Sequence, residues 1–483
     1  MKLKTAIEYM NAEASKLNPA LLEREVGSFA IDSREVEAGK VFFALSQPEY
    51  KNNGFNGDFE DATKYVPAAL EAGAVASVVR PDRFEEHREE LEKYRDRLIF
   101  ADDVIAALQK LARGVFLEWN RPVVAITGSA GKTTAKELTA FVLEASGRNV
   151  LRNIKNYNNG LGHPLTVLNL VSKKDFDVAV LEMGMSTPLR EIARLCEITP
   201  PDVAVGLNVL PVHVEHLGSI ENIAKAKAEL IEGMKPGGTA VLNADDERVL
   251  AMRELSRGRV ITYGIENEAD VTADQIEMER FGETRFVLHI PGDEAPVTIQ
   301  LSGRHNVLNA LAAAAVGSSF GMGAGQIAEA LRSIKPPSQR GEVIEFERGF
   351  TVVNDSYNSN PAALLSMVKT LIDGGRNAAR RIVVAGEMLE LGRLEKEIHR
   401  ETGKDIAETG IDLLIGVRGL ARELIGGARE SGLRETMFFE NSEEAGDFLA
   451  ADILPGDLVL VKGSRGVRTE KVVEKLLENF KIK

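Results

Sequence analysis

The stretch Val123-Val124-Ala125-Ile126-Thr127-Gly128-Ser129-Ala130-Gly131-Lys132-Thr133-Thr134 constrains this chain more than any other. Apolar and β-branched residues make a short buried strand, two glycines make a turn, and a helical pattern follows over 133–145. A strand that enters a helix through a glycine loop turns backbone N–H groups, and the positive end of the helix, toward a polyphosphate. Lys132 then reaches the β and γ phosphates, and Thr133 offers its hydroxyl to Mg²⁺. The G-x-x-x-x-G-K-[ST] string is shortened here, because Ile126 stands where its first glycine would fall.

Helical and strand-like patterns keep alternating past this loop, at 176–183, 219–234 and 239–243, which predicts a parallel sheet with crossover helices. From 270 to 301 the pattern is strand-like, and an alanine-rich helix starts near Asn306. With 483 residues the chain exceeds one hydrophobic core, since cores stop growing near ~250–300 residues. Ahead of the loop, apolar runs at 41–45 and 74–79 and a charged helical stretch at 83–97 read as a small α/β unit. Lys335-Pro336-Pro337-Ser338-Gln339 cannot continue a helix and reads as a linker. Beyond it, strands at 351–353, 382–385, 413–417 and 458–461 alternate with helices, as in a second open α/β sheet. The expected fold is α/β in three domains: a small N-terminal α/β domain over 1–101, a central P-loop parallel-sheet domain over 102–334, and a C-terminal Rossmann-like domain over 335–483.

Charge narrows the function classes. The chain has 59 Lys and Arg against 73 Asp and Glu, a net charge of −14, so its surface repels nucleic acid and anionic lipid. No apolar run is long enough to span a membrane and the N-terminus lacks a secretory signal, so a cytoplasmic protein is expected. The lone Cys196 cannot close an intramolecular disulfide and reads as a small core residue.

Two further features carry chemistry. Glu182 ends the apolar run D-V-A-V-L-E, at the carboxyl end of a predicted parallel strand where open α/β sheets place their ligands. The loop N-V-L-P-V-H-V-E-H at 208–216 adds His213 and His216 to a metal or phosphate centre, with His213 preferred. In the following helix, Ile220, Ile223, Ala224, Leu230, Ile231 and Met234 share one face; Lys227 falls in its middle while Lys225 points away. A buried ammonium is costly, so Lys227 must pair with an anion, lose its proton or be chemically modified.

Taken together, these residues resemble the Mur ligase family, which joins amino acids or peptides to UDP-N-acetylmuramic acid. The shortened loop T-G-S-A-G-K-T-T is similar to that family's ATP loop, implying nucleotide contacts at Gly128, Ser129, Gly131, Lys132, Thr133 and Thr134. The resemblance implies that Lys227 is carbamylated and that Glu182, His213 and Lys227 hold a second Mg²⁺ besides the one at Thr133; Lys132, Lys227, His213 and Glu182 are thereby catalytic. G-R-H-N-V-L-N-A resembles the adenine segment and points to His305, Asn306 and Asn309, with Arg340 and Asp355 reaching the nucleotide from the third domain. Asp32-Ser33-Arg34 is similar to a segment that contacts uridine diphosphate, which assigns Ser33 and Arg34 to that substrate. The loop from Asn156 to Pro164 adds Asn156, Asn158 and Asn159.

D-S-Y-N-S-N-P looks like the motif of the family member that adds D-alanyl-D-alanine, and supplies Tyr357, Asn358 and Asn360; V-K-G-S-R supplies Lys462, Ser464 and Arg465. No D-N-P-R string of the diaminopimelate- or lysine-adding relative occurs. The implied reaction uses ATP and Mg²⁺ to join D-alanyl-D-alanine to UDP-N-acetylmuramoyl-tripeptide through an acyl phosphate, in a monomer. The alternatives are another amide ligase of the superfamily, including a folylpolyglutamate synthase, or a P-loop NTPase switch. One departure is clear: after Leu45 the family's D-G-H-x-F segment gives way to S-Q-P-E-Y-K-N-N-G-F-N-G-D-F.

Overall fold

The computed structural model describes the chain apart from residues 56–57, 155, 186–189, 212–216 and 335–337, and apart from the side chains of 279 and 280. Three sheets organise it. The first is parallel, in the order β1 (Ser28–Ala30), β2 (Lys40–Phe43), β3 (Ala76–Val79), β4 (Leu98–Phe100).

The second has nine strands: β5 (Val123–Thr127), β6 (Val150–Arg152), β7 (Val178–Glu182), β8 (Val203–Gly206), β9 (Thr239–Asn243), β10 (Arg259–Gly264), β11 (Val271–Arg280), β12 (Glu283–Ile290) and β13 (Asp293–Ile299). Their order is β13-β12-β11-β10-β9-β8-β5-β7-β6. Pairing is parallel from β6 to β11, but β11–β12 and β12–β13 are antiparallel. The central sheet is therefore mixed rather than wholly parallel: Gly282 and Gly292, both at positive φ, sit in the short turns between β11, β12 and β13 and fold that stretch into hairpins.

The third sheet holds β14 (Glu342–Glu345), β15 (Thr351–Asp355), β16 (Arg380–Gly386), β17 (Leu413–Val417), β18 (Thr436–Phe439) and β19 (Asp457–Lys462), ordered β14-β15-β19-β16-β17-β18, with only β14 antiparallel.

Strand alternation explains the layers. Val123 and Ala125 face one core, Val124 and Ile126 the opposite one. The second core holds the alanine-rich helix Arg304–Ser319, which is buried on every side. The first runs without a break from the β1–β4 sheet, through the helix Val104–Trp119, to the underside of the central sheet. The third sheet has its own two cores, with Val352 and Val384 on one face and Val353 and Val383 on the other.

The charged stretch at 83–97 is not one helix. It breaks at His87 (φ −110°, ψ 22°) into Pro81–Glu86, Arg88–Leu91 and the 3₁₀ turn Glu92–Arg97, because only Phe84 and Leu91 give it buried anchors. Among the described residues no helix is long and apolar enough to cross a membrane.

Candidate active site

The phosphate loop follows from two glycines. Gly131 has φ +82°, and a Cβ there would lie 2.6 Å from Asn309 Oδ1; at Gly128 a Cβ would lie 2.8 Å from Leu207 Cβ. Gly131 starts the helix Lys132–Ala145, which has no side-chain cap and no acidic residue in its first turn, so its first N–H groups face the cleft. Asn208 clamps the loop like a strand neighbour: its Oδ1 accepts from Ala130 N at 2.8 Å, and its Nδ2 donates to Ala130 O at 3.1 Å. Lys132 Nζ donates to Gly128 O at 2.8 Å. Burial in the cleft lowers the Lys132 pKa, nearby Glu182 opposes that, and Arg340 adds to it.

Glu182, 4% exposed, ends β7 and lines the cleft. Thr133 Oγ1 donates to its Oε2 at 2.8 Å and Asn158 Nδ2 to its Oε1 at 2.7 Å. Lys227 lies on the buried face of the helix Ile220–Glu232 and lines the same cleft. Burial first, and the positive Lys132 second, hold its pKa well below the ordinary lysine value. No described residue hydrogen-bonds to or ion-pairs with its amine.

Donor chemistry tests the fit of Mg²⁺. Among the described residues no three His, Cys, Asp or Glu side chains cluster to hold a metal. The described donors are the Glu182 carboxylate and the Thr133 hydroxyl, hard oxygen atoms that suit Mg²⁺, and a carbamate on Lys227 would add another. His213 lies outside the described residues.

The third domain forms the opposite wall of one cleft of about 600 Å³. The Arg340 guanidinium stacks on the Tyr357 ring at 4.1 Å and that of Arg465 lies 5.7 Å from the same ring. Buried Lys462 donates to Asp355 Oδ2 at 2.5 Å and to Asn358 O at 2.9 Å. His305, at the start of the alanine-rich helix, lies 3.3 Å from Ser366 Oγ of the third domain. Asn309 Nδ2 donates to Asn306 Oδ1 at 3.2 Å. Asn360 caps the helix Pro361–Gly374 by accepting from Ala363 N, and Ser464 Oγ accepts from Leu389 N.

All the expected nucleotide residues line this cleft, as do Asn156, Asn158, Asn159, Tyr357, Asn358, Asn360, Lys462, Ser464 and Arg465. Ser33 and Arg34 do not. They lie in the 3₁₀ turn Ser33–Glu35, where the Arg34 guanidinium is 87% exposed and paired with Asp32. In the divergent segment after Leu45, Tyr50 stacks on Phe55 at 4.9 Å, and Phe55 packs beside Gly160 of the asparagine loop. Asn153, Asn208 and Lys136 support the site yet were not expected: single polar residues at strand ends or inside a helix leave no periodic trace, and their partners are remote in sequence.

The Mur ligase middle domain matches residues 126–317, and the Mur ligase glutamate ligase domain matches 339–465. UDP-N-acetylmuramoyl-tripeptide–D-alanyl-D-alanine ligase of Bacillus subtilis (strain 168) is 33% identical over 470 residues, covering 96% of this chain and 95% of that protein. The crystal structure of MurF from Acinetobacter baumannii aligns with TM-score 0.86 at 26% identity, covering 99% of this chain and 98% of that one. MurF ligase from Thermotoga maritima in complex with ADP aligns with TM-score 0.79 at 29% identity, covering 94% and 97%. With a full-length relative at this identity and the same architecture throughout, the chain belongs to the Mur ligase family of ATP-dependent, amide-forming ligases.

Proposed function

We propose that the chain adds D-alanyl-D-alanine to UDP-N-acetylmuramoyl-tripeptide at the expense of ATP, in the cytoplasmic synthesis of peptidoglycan precursors. The observation that carries this reading is the convergence on one cleft of the phosphate loop, the Glu182–Thr133 oxygen pair, the buried Lys227 amine and the cationic residues Arg340, Lys462 and Arg465. Likeness to the D-alanyl-D-alanine ligases over nearly the whole chain selects the substrates.

The first step brings a carboxylate against a triphosphate, two anions that repel. An oxygen of the tripeptide carboxylate attacks the γ-phosphorus, the bond to the β-phosphate oxygen breaks, and ADP leaves. The dipeptide amine then attacks the acyl carbon, the carbon–oxygen bond to phosphate breaks, and the amine gives up a proton as the amide forms. The loop amides and Lys132 hold the phosphates, and Arg340 adds positive charge where the phosphoryl group transfers. His305, Asn306, Asn309 and Asp355 complete the nucleotide contacts. Asn156, Asn158, Asn159, Tyr357, Asn358, Asn360, Lys462, Ser464 and Arg465 face the peptide and the incoming dipeptide, while Ser33 and Arg34 take the uridine diphosphate in the first domain. One Mg²⁺ would be held at Thr133 and a second by Glu182, His213 and carbamylated Lys227, and the pair would neutralise charge between phosphate and carboxylate. The carbamate itself forms when the neutral Lys227 nitrogen attacks CO₂ and loses a proton.

Phosphate release measured with ATP, UDP-N-acetylmuramoyl-tripeptide and D-alanyl-D-alanine, leaving out each in turn, tests this function. Release should require all three. Turnover with free lysine, diaminopimelate or glutamate as acceptor, or hydrolysis with no acceptor at all, would overturn it.

A further inference from the structure

Around Glu182 there is a second, deeper layer with no role in the scheme above. The β6–β7 ladder ends at the pair Arg152–Val180. One step beyond, the side chain of Asn153 takes over as a strand would: its Oδ1 accepts from Glu182 N at 3.0 Å and its Nδ2 donates to Glu182 O at 2.9 Å. The same Nδ2 donates to Tyr157 O at 2.9 Å. Tyr157 adjoins Asn158, whose amide holds the Glu182 carboxylate. Both ends of the Asn158–Glu182 hydrogen bond are therefore set by a single side chain, itself 2% exposed.

Asn153 is fixed in turn. Its carbonyl accepts from Lys136 Nζ at 2.6 Å. Lys136 follows Lys132 by one helical turn, so the two lie on the same side of the phosphate-loop helix. It is 1% exposed, and its charge is met by Glu137 at 2.8 Å, which also binds Arg152 at 3.0 Å. A buried ion pair is often no more stable than apolar residues of similar volume, so this one needs a use other than stability. Here the use is geometric: the Lys136–Asn153 pair ties the phosphate-loop helix, the end of β7 and the asparagine loop into one unit.

We propose that Asn153 and Lys136 are positioning residues that hold Glu182 in register with Thr133 for the divalent cations of phosphoryl transfer. The inference rests on the reading of Glu182 as a ligand to one of those cations. Partners that orient a metal ligand change metal affinity or activity by about 10- to 100-fold when removed.

Mg²⁺ is titrated calorimetrically into the full-length protein loaded with ADP, and ADP binding is measured separately in EDTA. Asn153→Ala and Lys136→Met should each weaken Mg²⁺ binding by about 10- to 100-fold. ADP affinity in EDTA and KM for D-alanyl-D-alanine should stay within about 2-fold, and kcat should fall alongside Mg²⁺ affinity. Lys136→Arg, which keeps a donor to the Asn153 carbonyl, should recover part of the loss. Should Asn153→Ala fail to fold, Asn153→Asp keeps the shape while setting a carboxylate against the Glu182 and Tyr157 carbonyls, and should weaken Mg²⁺ binding as much. A lower melting temperature with unchanged Mg²⁺ affinity would make the pair merely structural and overturn the proposal. Glu182→Gln separates the two readings. If it weakens Mg²⁺ binding while the deeper variants do not, only the positioning role falls; if it too has no effect, the ligand assignment falls first.

Discussion

Lys227→Met keeps the length of the side chain and removes its amine, and stability and catalysis should then move in opposite directions. The side chain is 4% exposed on a helix face shared with Ile223, Leu230 and Ile231, and its amine has no partner among the described residues. A buried polar group left unpaired costs about 1–3 kcal/mol. The apolar replacement should recover that amount, raising the melting temperature by roughly 1–2 °C per kcal/mol for a unit of this size. Burial and Lys132 hold the amine's pKa well below its ordinary value. Below about pH 10.4 the unfolded chain therefore takes up a proton that the folded chain refuses, and the wild type loses stability as pH falls from there toward the folded value. The advantage of the variant should grow as pH falls through that interval and level off above it at the cost of burying the neutral amine.

Ligation should drop by about 10²-fold or more, since a donor of charge stabilisation has gone. Thermal melts at two pH values, with and without bicarbonate and Mg²⁺, give the assay. Bicarbonate with Mg²⁺ should raise the wild-type melt, because a modification confined to the folded state stabilises that state, and should leave the variant unmoved. A variant less stable than wild type in bicarbonate-free buffer, or one that still ligates, would refute the reasoning.

Tyr357→Leu removes the ring beneath Arg340 and Arg465, a loss of about 0.5–2 kcal/mol that should appear as roughly a 2- to 30-fold fall in kcat/KM for ATP; Tyr357→Phe should stay near wild type, and equal losses in both would mean that the hydroxyl matters and the stack does not. Acid sensitivity is the other expectation. Burial pushes the pKa of His163, 0% exposed with Nε2 2.8 Å from Thr199 Oγ1, down to about 3. The unfolded chain binds that proton near pH ~6.5, so the contribution of His163 is level above that value and falls by about 1.4 kcal/mol per pH unit below it. His163→Gln should flatten urea-unfolding stability from about pH 6.5 to 4 relative to wild type, and an unaltered slope would rule the histidine out.

The sequence told most where chemistry and periodicity coincided. Lys227 could be placed on a buried face because three hydrophobic turns of helix surround it. The strand–glycine–helix unit was legible despite its shortened spacing, since Gly128 and Gly131 are the positions where backbone and neighbours leave no room for a side chain. The third-domain wall, from Arg340 to Arg465, was visible only through likeness to the family, because nothing local says that β15 and β19 will lie side by side and present Asp355 to Lys462. The edge strands β14 and β18 escaped notice, being four residues each and only partly buried. Asn153 and Asn208 were invisible for a deeper reason: a side-chain amide that imitates a strand acquires its meaning only once the chain has brought remote backbone beside it.

The apolar interior that runs unbroken from the β1–β4 sheet, along the helix Val104–Trp119, to the underside of the central sheet makes those two parts one solid body, whereas, among the described residues, the two cores of the last sheet take from the central sheet only Phe281, at the turn between β11 and β12. The last sheet is thereby attached to that body through one small apolar seam. Selection could exchange or re-tilt the terminal portion by redrawing that one seam; replacing the leading portion would require recutting a jigsaw that also underlies the nucleotide loop.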